Sequence, residues 1–176
     1  GNGAGKLLER AFTAADGVAH YTASADYQRF LNNYSKNCCD STRFYPGVQA
    51  LLSTFHKAGV SQGICTNKPY AITQSILQQL HIDSLFSAVI GGDSTARRKP
   101  DALPLTTCID KLNQTTDSVL LVGDSAADVG AARACGVPVA VVPWGYSQTE
   151  AVLLGGDYLI DEPQQLLQLV IPAAGQ

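Results

Sequence analysis

A chain of 176 residues with 45% hydrophobic content can bury one substantial core with a small appended lobe. A formal charge of −3, without any long Lys/Arg run, leaves no footprint for nucleic acid or an anionic membrane, so an anionic substrate must be drawn by local charge. No apolar stretch approaches the length of a bilayer span.

The opening Gly1-Asn2-Gly3-Ala4-Gly5-Lys6 does not make a phosphate loop, because Gly1 and Gly5 are too close, Leu7 follows Lys6, and no strand precedes. It reads as a lead-in to a helix with Leu7, Leu8, Ala11 and Phe12 on one face. A second amphipathic segment aligns Tyr27, Phe30, Leu31 and Tyr34, and the two suggest a helical hairpin. After Tyr45-Pro46-Gly47 the pattern alternates helix and strand, predicting a helical lobe over residues 1–43 and an α/β body over residues 44–176.

Within the body, Val48, Leu51, Leu52 and Phe55 predict a helix ending before Gly59, followed by a strand over residues 60–65. Pro69 opens a helix carrying Ile72, Ile76, Leu77 and Leu80, with a strand over residues 86–90 behind it. Leu105, Cys108, Ile109 and Leu112 mark a third helix before Val119-Leu120-Leu121-Val122, an apolar run expected to form a buried parallel strand. An Ala-rich helix then stops at Gly136, and strands over residues 138–142 and 158–160 precede a last helix over residues 166–170. The expected fold is α/β: a Rossmann-like parallel sheet flanked by helices, with a small helical cap lobe at the N-terminus.

Three strand ends carry candidate chemistry. Thr66-Asn67-Lys68-Pro69 offers a hydroxyl and an amide at a helix N-terminus, where an anion is favoured, although ordinary capping explains the same residues. Arg97-Arg98-Lys99-Pro100 offers cations, and Gly123-Asp124-Ser125-Ala126-Ala127-Asp128 places two carboxylates one helical turn apart, a natural pair for a hard divalent cation. Ser125-x-x-Asp128 is also a capping-box pattern. Five cysteines, Cys38, Cys39, Cys65, Cys108 and Cys135, odd in number and without C-x-x-C, fit reduced thiols in a cytoplasm.

Thr66-Asn67-Lys68-Pro69, Lys99-Pro100 and Val122 to Asp128 with Ala131, Ala132 and Ala134 resemble the second, third and fourth motifs of the haloacid dehalogenase superfamily of phosphohydrolases. Gly1 to Ala4, Leu7 to Ala11, Tyr45-Pro46-Gly47 and Val89-Ile90-Gly91-Gly92-Asp93 are similar to phosphoglycolate phosphatases. The resemblance implies hydrolysis of small phosphorylated metabolites through an aspartyl-phosphate, with Mg²⁺ as cofactor. It assigns Thr66 and Asn67 to the phosphoryl group, Lys99 to the charge on nucleophile and phosphate, and Asp124 and Asp128 to Mg²⁺, Asp128 directly or through water.

One departure stands out: the family's first motif, a strand followed by Asp-x-Asp, is absent from the sequence. The missing strand would lie between those ending at Cys65 and Val122, so two half-sheets with unpaired edges are expected. The sequence also lacks Met and begins on Gly1, which points to a natural N-terminus outside it. As it stands the chain is expected to fold poorly and to lack turnover, unless such a segment exists or another chain donates a strand. A non-catalytic phosphate- or Mg²⁺-binding or interaction domain is the rival reading. A serine esterase centred on Ser125 lacks a suitable His, since His20, His56 and His81 all lie upstream.

Overall fold

Alternating apolar segments become helices and strands in the computed structural model, which describes Leu8, Glu9, Ala11 and residues 25–171. Leu8, Glu9 and Ala11 are helical, whereas Leu7 and Phe12 of the same predicted helix lie outside the described residues. Helix α1, Ala25–Asn37, places Asp26 in its first turn and Lys36 in its last, matching the helix dipole. None of its residues is buried. Just after its end, buried Cys38 lies 3.6 Å from Ser75 Oγ.

The body follows as α2 (Val48–Lys57), β1 (Gly63–Cys65), α3 (Tyr70–Gln79), β2 (Ala88–Ile90), α4 (Leu103–Lys111), β3 (Leu121–Gly123), α5 (Ala126–Cys135), β4 (Val139–Val141), β5 (Tyr158–Leu159) and α6 (Gln165–Val170). The strands are shorter than the apolar runs that predict them, because ladder pairing rather than apolarity bounds a strand. Among the described residues, three short 3₁₀ turns, Asp83–Leu85, Thr116–Ser118 and Ala151–Leu154, lacked a periodic signal.

Strand β4 shows why helices cover both faces. Val139 and Val141 point to one side, among Leu105 and Ile109 of α4 and Ala131 and Ala132 of α5. Ala140, with Val142 just beyond the strand, points to the other, among Leu51 and Phe55 of α2 and Leu166 of α6. Ala131 and Ala132 are fully buried, and side chains this small let α5 lie close on the sheet. The result is the expected helix–sheet–helix sandwich with all strand pairs parallel.

The sheet itself is in two pieces, β1–β2 and β3–β4–β5. This corrects the expectation that residues 119–122 form a buried strand. Val122 in the middle of β3 is 40% exposed, whereas Val139 and Val141 of β4 are 0% and 1% exposed. The cause is pairing: among the described residues, β3 has a neighbour on one side only, as does β1, whose Gly63 is exposed. No helix among the described residues is long and apolar enough to cross a membrane.

Candidate functional site

Lys99 sits where the two half-sheets approach each other. Its ammonium donates to the Cys65 carbonyl at the end of β1 and to Asp128 Oδ1 in α5, each at 2.5 Å. The two side chains are 8% and 9% exposed. The Asn67 amide fixes this lysine through its backbone: Asn67 Nδ2 donates to Lys99 O, and Lys99 N–H donates back to Asn67 Oδ1, both at 3.0 Å. Thr66 Oγ1 accepts from Lys68 N–H at 3.1 Å, and a hydroxyl that accepts one hydrogen bond can still donate its own hydrogen. The peptide between Lys99 and Pro100 is cis.

Asp128 takes the capping role that the sequence suggested and adds an ion pair with Lys99. Its Oδ2 accepts from Ser125 Oγ at 2.6 Å, Ser125 N–H at 3.0 Å and Asp124 N–H at 3.3 Å, completing the capping box, while Oδ1 pairs with Lys99. Burial alone would raise this carboxyl; the Lys99 ammonium and the Ser125 donors overcome that and hold it below the ordinary carboxylate range. Both of its oxygens are therefore engaged.

Asp124 faces a different neighbourhood. Its Oδ2 accepts from Tyr146 N–H at 2.6 Å, in the turn that follows β4. A cavity of about 280 Å³ opens beside it, lined chiefly by Tyr45, Val122, Asp124, Trp144 and Tyr146. The Tyr45 ring lies 5.1 Å from Trp144 and 6.3 Å from Tyr146. Burial pushes the Tyr45 phenol up, reinforced by the Tyr146 hydroxyl and the nearby Asp124 charge.

The structure thus brings Asn67, Lys99 and Asp128 into one hydrogen-bonded group, joined to Asp124 through the Asp124 N–H to Asp128 bond, with Thr66 next to Asn67 in the loop and bonded to Lys68 N–H. It changes one detail of the sequence reading. The N-terminus of α3 already holds an anion, because Asp93 Oδ1 accepts from Tyr70 N–H at 2.7 Å. Arg98 is also engaged, its Nε donating to Gly92 O at 2.6 Å. Sequence reasoning missed Asp93 as a cap because it lies 23 residues from Tyr70. The turn at residues 143–146 and Tyr45 meet Asp124 in the fold. Lys68 Nζ lies over the Tyr34 ring at 5.4 Å and ties α1 to the site loop. Among the described residues, no group of three or more His, Cys, Asp or Glu converges as a metal site.

Comparison with known proteins places this arrangement. The family described as haloacid dehalogenase-like hydrolase matches residues 7–142. A phosphoglycolate phosphatase of Rhodospirillum rubrum is 39% identical over 167 residues, covering 92% of this chain and 69% of that protein. A phosphoglycolate phosphatase of Xanthomonas campestris is 34% identical, covering 98% of this chain and 76% of that protein. A solved structure from Haemophilus somnus, described as a predicted phosphoglycolate phosphatase, superposes with a TM-score of 0.88 at 30% identity, covering 96% of this chain and 78% of that one. The motif-bearing strand ends, the parallel sandwich and these likenesses agree: this chain belongs to the haloacid dehalogenase-like hydrolases, and by family it is a phosphoric monoester hydrolase.

Proposed function

We propose that this chain carries the phosphate- and cation-binding half of a phosphatase for small phosphate monoesters, with phosphoglycolate as the substrate class that its relatives' names suggest. The observation that carries the reading is the convergence of Lys99 and Asp128 between the ends of β1 and β3, with Thr66 and Asp124 beside them. Thr66 donates its hydroxyl to the phosphoryl group, and Lys99 offsets negative charge as it accumulates there. Asn67 acts on the same group through Lys99, whose backbone it holds.

A hard cation fits Asp124, whose Oδ1 lies opposite the oxygen held by Tyr146. Asp128 fits only an indirect place, since Lys99 and Ser125 occupy both its oxygens. One or two carboxylates completed by water and substrate phosphate suit Mg²⁺, which would neutralise phosphoryl charge. The nucleophilic Asp and its acid/base partner belong to an Asp-x-Asp segment that this sequence does not contain, and the split between β1 and β3 supports placing that strand there. A cap over residues 1–43 and a cytoplasmic setting complete the proposal.

The absent Asp-x-Asp also favours a second reading, a domain that binds phosphate or Mg²⁺ without turnover. One experiment separates them: intact mass, with phosphate release from phosphoglycolate measured with and without Mg²⁺ on the same sample. A mass several kilodaltons above 18.6 kDa with Mg²⁺-dependent release supports the phosphatase. Binding without release at 18.6 kDa supports the second reading, and robust turnover at that mass sinks the assignment of the nucleophile.

A further inference from the structure

The carboxylate of Asp124 is shaped by a turn from another part of the chain. Tyr146 N–H fixes Oδ2 from 22 residues away. The preceding residue must be glycine for a steric reason: a Cβ on Gly145 would stand 2.2 Å from Asp124 Cβ and 2.3 Å from its Oδ2, closer than any real contact allows. Tyr45, ahead of α2, lies against both aromatic residues of the turn. Trp144 in turn packs on the core formed by Leu51, Phe55, Ala140 and Val142. A chain of contacts therefore runs from the hydrophobic core, through an aromatic clasp, to one carboxylate oxygen.

We propose that the turn at residues 143–146, clasped by Tyr45, aims Asp124 Oδ1 at the cation, and that Gly145 and Tyr45 are positioning residues for cation binding. The inference rests on the reading that Asp124 holds the cation. Fixing one oxygen by a backbone amide leaves the other with a single preferred direction, and removes side-chain freedom that binding would otherwise have to restrict. Gly145 permits the approach; Tyr45 supplies the packing that keeps the turn in place.

Trp144 is the chain's only tryptophan and lines the same cavity as Asp124, so its emission reports on this site. Mg²⁺ is titrated against that emission, and by calorimetry, in the wild type, Asp124→Asn, Gly145→Ala, Tyr45→Ala and Tyr45→Phe, with thermal midpoints taken without Mg²⁺. Supporting outcomes are Mg²⁺ affinity weakened about tenfold or more in Gly145→Ala and Tyr45→Ala, as loss of an outer-shell support does, and retained within about twofold in Tyr45→Phe. Wild-type affinity in Gly145→Ala and Tyr45→Ala overturns the positioning role while leaving Asp124 as the ligand. Should Gly145→Ala fail to fold, the Tyr45 pair decides. Equal affinity in the wild type and Asp124→Asn, or no Mg²⁺ response in the wild type, overturns the cation reading itself and the inference with it.

Discussion

Lys99 Nζ and Asp128 Oδ1 lie 2.5 Å apart with more than nine-tenths of each side chain buried, which joins the loop after β2 to the first turn of α5. Removing one member of such a pair strands an uncompensated charge. Lys99→Ala or Asp128→Ala is expected to cost about 3–5 kcal/mol, whereas Lys99→Met with Asp128→Leu recovers much of that loss. Urea midpoints of the two single variants and the double variant test this. Additive losses in the double variant would refute the pairing as the cause.

The pH dependence follows from the same contact. The native Asp128 carboxyl lies below its ordinary 3.8, so the unfolded chain binds its proton first as the solution is acidified. The stabilisation is fully present above about pH 4, and is lost as pH falls through the native value. Asp128→Asn should flatten the stability profile in that acid window and change its shape little at neutral pH. Acid titrations of denaturant midpoints, wild type against variant, provide the measurement.

Edge pairing makes a finer prediction. Leu121 N–H donates to Pro138 O, and Gly123 O accepts from Val142 N–H, so alternation along β3 turns the Val122 amide toward the open edge. On β1, Thr66 N–H donates to Ile90 O, and the Cys65 carbonyl is turned the other way, toward Lys99. Amide exchange at Val122 and Cys65 should be fast, and at Leu121 and Thr66 slow. Uniform protection along β3 would mean that a strand occupies the break.

The helices and the order of strands were legible because periodicity and Gly or Pro punctuation survive in sequence: Leu51 and Phe55 point inward as their spacing requires, and α5 ends at left-handed Gly136. The local half of the site was legible too, since Ser125 and Asp128 are one helical turn apart. What could not be read is what folding brings from afar. Asn67 meets Lys99 across 32 residues, Tyr146 meets Asp124 across 22, and no pattern in a single chain announces either. The exposure of Val122 was hidden for a related reason: an apolar run signals a strand but not whether both its edges are paired.

The thiols offer a chemical check on the core. Cys108 is buried between α4 and β2, and burial pushes its thiol up to about 11. The thiolate is the reactive form, so iodoacetamide at pH 8 should leave Cys108 unmodified in the native protein and modify it once denatured. The native pKa exceeds the unfolded 9.0, so its contribution to stability is intact below pH 9 and is lost as pH rises toward 11. Mass mapping of alkylated peptides reads the first effect, and rapid native-state labelling of Cys108 would contradict it.

Asp93 provides the last test, because its job is distant in sequence and simple in physics. Its carboxylate accepts the Tyr70 amide hydrogen at the start of α3, supplying both a cap and a negative charge at the positive end of the helix. The same approach brings the loop after β2 so close that a Cβ on Gly92 would lie 2.3 Å from Asn67 O. Asp93→Ala should therefore cost about 1 kcal/mol in stability, and Asp93→Asn less, since the amide oxygen still accepts the bond. Because Asn67 in turn holds Lys99, loosening this loop should also weaken phosphate binding modestly in Asp93→Ala. Calorimetric phosphate titrations beside denaturant midpoints measure both effects, and an Asp93→Ala variant as stable as the wild type would show that water caps α3 equally well.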